Sequence, residues 1–181
     1  WLTALQRYPA ARRPASGAAL FHVLRGIVDA GWRRPAVDWM REVWGRAGDA
    51  GLSTCPEFFP EDPREWFHHE PLSGRGGVND QRIASLCHGW SAGPAWLLPR
   101  ALFGVRPLEP GMRRVAISPQ ACGLESAACA VPTPRGDVIL ELENGVATAR
   151  LPDGVQGEWH DERNRTVESF CGRVQRRLDT T

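Results

Sequence analysis

The hydrophobic period of this chain changes once, and that change limits what it can fold into. Before the join Arg106-Pro107-Leu108-Glu109-Pro110-Gly111, apolar residues recur at helical spacing; after it they alternate. A helical pattern does not sit still as a strand, nor the reverse. The chain therefore reads as a helical part over 1–105, a proline- and glycine-rich linker over 106–111 and a strand-built domain over 112–181.

Leu20, Phe21, Leu24, Ile27 and Val28 line one face of a helix over 15–30, with Pro14 and Ser16 at its start and Gly31 at its end. A second helix begins near Pro35, carries Ala36, Val37, Met40, Val43 and Trp44 on one stripe, and is expected to stop at Gly45. The short link between them predicts an αα-hairpin. One hairpin cannot bury both stripes, so more helices are expected around it. Residues 51–84 are rich in proline, glycine and charge and read as a long loop, a length that is usually functional or disordered. A third helix is predicted over 92–103, with Pro99 expected to kink or shorten it.

Seven strands are predicted downstream, over 115–117, 124–131, 137–143, 146–151, 155–160, 166–171 and 173–178. Asn144-Gly145 signals a type I′ hairpin turn and Asp153-Gly154 a further turn. Short strands with this punctuation fit an antiparallel β-sandwich.

Composition removes several function classes. The chain has 181 residues, 42% hydrophobic and 24% charged, which is globular. Its net charge of +1 points to no nucleic acid and no membrane surface, and no apolar run is long enough to span a bilayer. All 22 basic residues are arginine, which excludes a lysine Schiff base and a P-loop lysine. The five cysteines (55, 87, 122, 129 and 171) include no CxxC pair. Free thiols are expected, no zinc site, and a lean toward a reducing, cytoplasmic setting. Opening on Trp1 within running sequence, the chain is expected to be a piece of a longer protein.

One constellation carries chemistry. Ser85-Leu86-Cys87-His88-Gly89-Trp90-Ser91 sets a histidine two residues from a tryptophan, and Glu57 stands about thirty positions upstream in Ser53-Thr54-Cys55-Pro56-Glu57. An indole face suits the C–H surface of a sugar ring, an imidazole hydrogen-bonds hydroxyls, and a carboxylate can take a proton from water. Read from the residues alone, Glu57 is favoured as a solvated loop carboxylate and His88 as a core or capped histidine. Trp90 divides evenly between pocket wall and core. Glu61, Asp62, Glu65 and Glu70 read as solvated charges. Trp66 and Phe67 read as loop anchors, Trp39 and Trp44 as core. His68-His69-Glu70 is rejected as a metal site, Gly74-Arg75-Gly76-Gly77 reads as linker, and Arg12-Arg13 and Arg176-Arg177 read as solvated.

As a set and in this order, Ser85–Ser91, Gly104-Val105-Arg106-Pro107-Leu108-Glu109-Pro110-Gly111 and Val131-Pro132-Thr133-Pro134-Arg135-Gly136 resemble the C-terminal end of bacterial α-L-rhamnosidases. The resemblance covers nearly all of 14–160 and is densest from Ser85 to Pro134. It implies a mixed fold, the all-α closing part of an (α/α)6 toroid followed by the β-sandwich. By the same resemblance Glu57 is the general base, His88 contacts rhamnose and Trp90 shares the pocket. Cys55-Pro56 departs from the family's aromatic pair. The family's general acid lies well upstream, and nothing like it appears in this chain. Inversion needs two carboxyls ~6.5–9.5 Å apart, so the isolated chain is expected to be inactive.

The implied partners are a rhamnosylated glycoside and the N-terminal remainder of the parent chain, with no metal or organic cofactor. Two other readings stay open: a non-catalytic carbohydrate-binding or scaffold fragment, and a six-hairpin glycosidase for another sugar.

Overall fold

A computed structural model describes residues 16–60, 85–161 and 165–178. These fall into two compact units, one of 16–30, 38–60 and 85–95, the other of 31–37, 96–161 and 165–178.

In the first unit, helix α1 (Gly17–Asp29) starts where Ser16 turns extended and its hydroxyl accepts the Ala19 N–H at 3.3 Å, a cap of about 1 kcal/mol. Leu20, Leu24, Ile27 and Val28 are buried on its inner stripe. It ends at Gly31, whose φ of +85° suits only glycine.

Helix α2 (Arg33–Asp49) runs past Gly45, four residues further than its sequence suggests. Ala47 is buried within the added turn. The true stop is Gly51, at φ +87°. Its N–H reaches the Gly48 carbonyl at 2.8 Å, and the Leu52 N–H reaches that of Ala47 at 3.0 Å. That hydrogen-bond pair is a Schellman motif. Gly45 lies in helical backbone and stops nothing.

Helix α3 (Pro94–Phe103) begins two residues later than expected and passes through Pro99 without ending there. A proline at 99 has no N–H for the Ala95 carbonyl, a local loss. Burial of Leu97, Ala101, Leu102 and Phe103 outweighs it.

The second unit is built on eight strands: β1 (Arg106–Pro107), β2 (Arg114–Ile117), β3 (Ser126–Thr133), β4 (Gly136–Glu143), β5 (Val146–Arg150), β6 (Gln156–Asp161), β7 (Thr166–Phe170) and β8 (Arg173–Arg177). They form two four-stranded sheets, β1-β2-β6-β7 and β3-β4-β5-β8. Alternation makes β4 a half-buried strand, with Val138, Leu140 and Leu142 turned inward. Val115, Ile117 and Trp159 supply apolar residues from the other sheet. Asn144 and Gly145 take φ of 47° and 76°, as a type I′ turn requires.

Antiparallel pairing was expected throughout, but β2 and β6 run parallel, with Val115 opposite Gly157. A parallel pair needs a long crossover, and the chain makes it by passing through β3, β4 and β5. Within the join at 106–111, Arg106 and Pro107 pair with Ala116 and Val115.

The first turn of α2 is tied into the same unit. Buried Arg33 donates to the Ser118 carbonyl and, at 2.6 Å, to the Ser118 hydroxyl. Among the described residues no helix is long and apolar enough to cross a membrane.

Candidate functional site

Two segments of the first unit run side by side and carry all three candidate residues. The Glu57 N–H donates to the Ser85 carbonyl at 2.8 Å, and the His88 N–H donates to the Cys55 carbonyl at 2.8 Å. The Thr54 hydroxyl donates to the Leu86 carbonyl at 2.5 Å. Pro56, which has no N–H to satisfy, is fully buried between these pairs. Ser16 bridges Phe58, and the Gly17 N–H donates to the Glu57 carbonyl at 3.3 Å. The Glu57 backbone is thus held from both sides.

The carboxylate is held as well. Oε2 of Glu57 accepts the Ser85 N–H at 3.2 Å and lies 3.9 Å from Nδ1 of His88. Among the described residues, Oε1 makes no hydrogen bond. Both side chains keep roughly a third of their surface open, 32% for Glu57 and 28% for His88. A carboxylate with one oxygen anchored can accept a proton from water through the other.

His88 precedes a 3-10 turn, Gly89–Ser91, and its side chain makes no capping bond there. The imidazole instead meets the Trp90 indole edge-on, centroids 5.4 Å apart and planes at 83°. Trp90 is 75% exposed, so it is no core residue, and most of its apolar surface is open.

The structure therefore brings Glu57, His88 and Trp90 together. It also adds neighbours that the reading of the sequence passed over. Ser85 grips Glu57 through its N–H, and Trp44, read as core, is half-buried and donates its indole N–H to the Ser91 carbonyl at 2.8 Å. Local periodicity gives no sign of either contact, since each joins segments far apart in the chain. Glu61, Asp62, Glu65, Trp66, Phe67, His68, His69, Glu70, Gly74–Gly77 and Arg12-Arg13 lie outside the described residues. Among those described, no cluster of three or more His, Cys, Asp or Glu could hold a metal.

A shallow groove of about 660 Å³ lies in the second unit beside Ala128, Glu141, Thr148 and Gln175. It includes none of the three candidate residues, and size alone gives it no claim over the Glu57–His88 pair.

The chain's relatives bear first on the strand-built part. Residues 104–160 match the family model of the bacterial alpha-L-rhamnosidase C-terminal domain. The rhamnosidase match spans β1 to β6 and begins just after α3, so Glu57, His88 and Trp90 lie outside it. Two rhamnosidase structures extend the comparison. A GH78 family rhamnosidase of Bacillus sp. GL1 is 24% identical with a TM-score of 0.57, covering 87% of this chain and 18% of that one. The α-L-rhamnosidase from Aspergillus terreus is 21% identical with a TM-score of 0.48, covering 57% of this chain and 13% of that one. No curated protein matches the sequence. The chain thus resembles the C-terminal portion of a bacterial rhamnosidase and spans less than a fifth of either solved relative.

Proposed function

We propose that this chain is the C-terminal segment of a glycosidase that hydrolyses terminal α-L-rhamnosyl linkages with inversion. Residues 1–105 form the closing helices of an (α/α)6 toroid in the parent, 106–111 the join and 112–181 the β-sandwich. Glu57 is the general base that deprotonates the attacking water, His88 holds sugar hydroxyls, and Trp90 offers its face to the ring. The general acid comes from the upstream part of the parent, so this chain supplies half of the carboxyl pair.

The observation that carries this reading is the clasp on Glu57. One carboxylate oxygen is anchored by Ser85 and faces His88, while the other makes no hydrogen bond among the described residues. A purely solvated loop glutamate would not be held by backbone and side chain together. The open Trp90 face beside His88 suits a sugar ring, whose C–H surface packs on indole.

The test is a panel of aryl glycosides given to the intact parent, with the first-formed product followed by NMR. Cleavage confined to the α-L-rhamnoside, releasing the inverted anomer, supports the proposal. Preference for another sugar would redirect it to a related six-hairpin glycosidase, consistent with Cys55-Pro56 at the pocket wall. Binding without cleavage of any would favour a carbohydrate-binding fragment.

A further inference from the structure

We infer that Trp44 is a positioning residue that braces both arms of this site, beside the backbone hydrogen bonds that pair them directly; the inference rests on the proposed roles of Glu57 and His88. Trp44 stands near the end of α2 and touches each arm through a different part of its ring system. Its indole N–H donates to the Ser91 carbonyl at 2.8 Å, closing the turn that His88 begins and Trp90 occupies. Its aromatic surface packs on Phe59, centroids 4.9 Å apart and planes at 59°, two residues beyond Glu57. The turn closes through its own backbone, Ser91 N–H to the His88 carbonyl at 2.9 Å. The His88 side chain makes no capping bond, so the Trp44 indole adds a tie from outside the segment. One side chain therefore couples the arm that binds sugar to the arm that carries the base.

The two contacts are chemically distinct and can be cut separately. Trp44→Phe keeps an aromatic surface against Phe59 and deletes the donor to Ser91. Phe59→Leu keeps the indole N–H and deletes the ring contact on the Glu57 side. A small misplacement of a binding group weakens ground-state and transition-state binding alike and raises KM, whereas a misplaced base lowers kcat.

The experiment measures aryl α-L-rhamnoside hydrolysis by the intact parent carrying each variant, and rhamnose binding in a Glu57→Gln background. Trp44→Phe is expected to raise KM about threefold to tenfold, the worth of one hydrogen bond, with kcat within about twofold. It is expected to weaken rhamnose binding by the same factor. Phe59→Leu is expected to lower kcat with KM kept. A merely structural role would lower the amount of active enzyme, moving apparent kcat in both variants and KM in neither. That result, or unchanged constants in both, overturns the inference. Should Trp44→Phe fail to fold, Phe59→Leu still decides once kcat is referred to the amount of folded enzyme: a lowered kcat with KM kept supports the assignment of arms, and a KM change or an unchanged kcat contradicts it. Hydrolysis that survives Glu57→Gln overturns the reading of the site itself, a separate failure.

Discussion

Gly17 is packed against Ser91 so closely that a Cβ on it would stand 2.3 Å from Ser91 Oγ, 2.6 Å from Cβ and 2.8 Å from Cα. Because the last of these is backbone, the neighbour cannot rotate away. Gly17→Ala should therefore destabilise the first unit by about 1–3 kcal/mol, as overpacking does, and Ser91→Ala should not rescue it. Denaturant unfolding of the single and double variants checks both statements.

Ser91 by itself behaves differently. It is fully buried, and its hydroxyl has no hydrogen-bond partner among the described residues. An unsatisfied buried hydroxyl costs about 1–3 kcal/mol. Ser91→Ala is expected to leave stability unchanged or to raise it, and a clear loss would show that the hydroxyl has a partner.

The second unit should respond to acid through Glu158. Arg114 donates to its carboxylate and His160 Nε2 lies 3.2 Å from it, while Arg114 also reaches Glu109 at 3.2 Å. The Arg114 hydrogen bond, then that of His160, holds the Glu158 carboxyl below its ordinary value of 4.5 despite opposing desolvation. A lowered folded pKa contributes stability that is complete above the unfolded value and lost as pH falls through the folded one. Glu158→Gln should therefore lower the melting temperature at neutral pH, with the gap to wild type narrowing as pH falls below 4.5 through the lowered folded value. Parallel curves across the acid range would contradict this.

Thiol chemistry should sort the cysteines by position. Cys87 and Cys171 are exposed, Cys122 is buried, and burial pushes the Cys129 thiol up to about 11. Thiolate is the reactive form. Alkylation of the native protein at neutral pH should mark Cys87 and Cys171 first and spare Cys122 and Cys129 until denaturation, as peptide mass mapping would show. Equal labelling of Cys129 and Cys87 would mean that the inner face of β3 is not covered.

Local signals were readable wherever one residue's chemistry decides the backbone. Ser16 as cap, Gly31 as stop and Asn144-Gly145 as turn all lie where residue type alone places them. Alternation located β4, because only one of its faces is buried. What escaped depends on partners distant in sequence. Gly45 and Gly51 look alike along the chain, and only the Leu52 N–H finding the Ala47 carbonyl tells which one ends α2. The parallel pairing of β2 with β6 follows from where the intervening strands carry the chain. At the site, residue types alone favour a solvated Glu57 and a core or capped His88, and only the rhamnosidase resemblance singles out Glu57, His88 and Trp90 together; the Ser85 clasp and the reach of Trp44 arise from pairing across about thirty to fifty positions.

Whether Glu57 is a base is decided by aryl α-L-rhamnoside hydrolysis by the intact parent before and after Glu57→Gln. The substitution keeps the size of the side chain and an oxygen to accept from Ser85, so the arm should hold its place. Turnover should fall about 10²–10⁴-fold with rhamnose binding retained. Turnover unchanged by Glu57→Gln would contradict it.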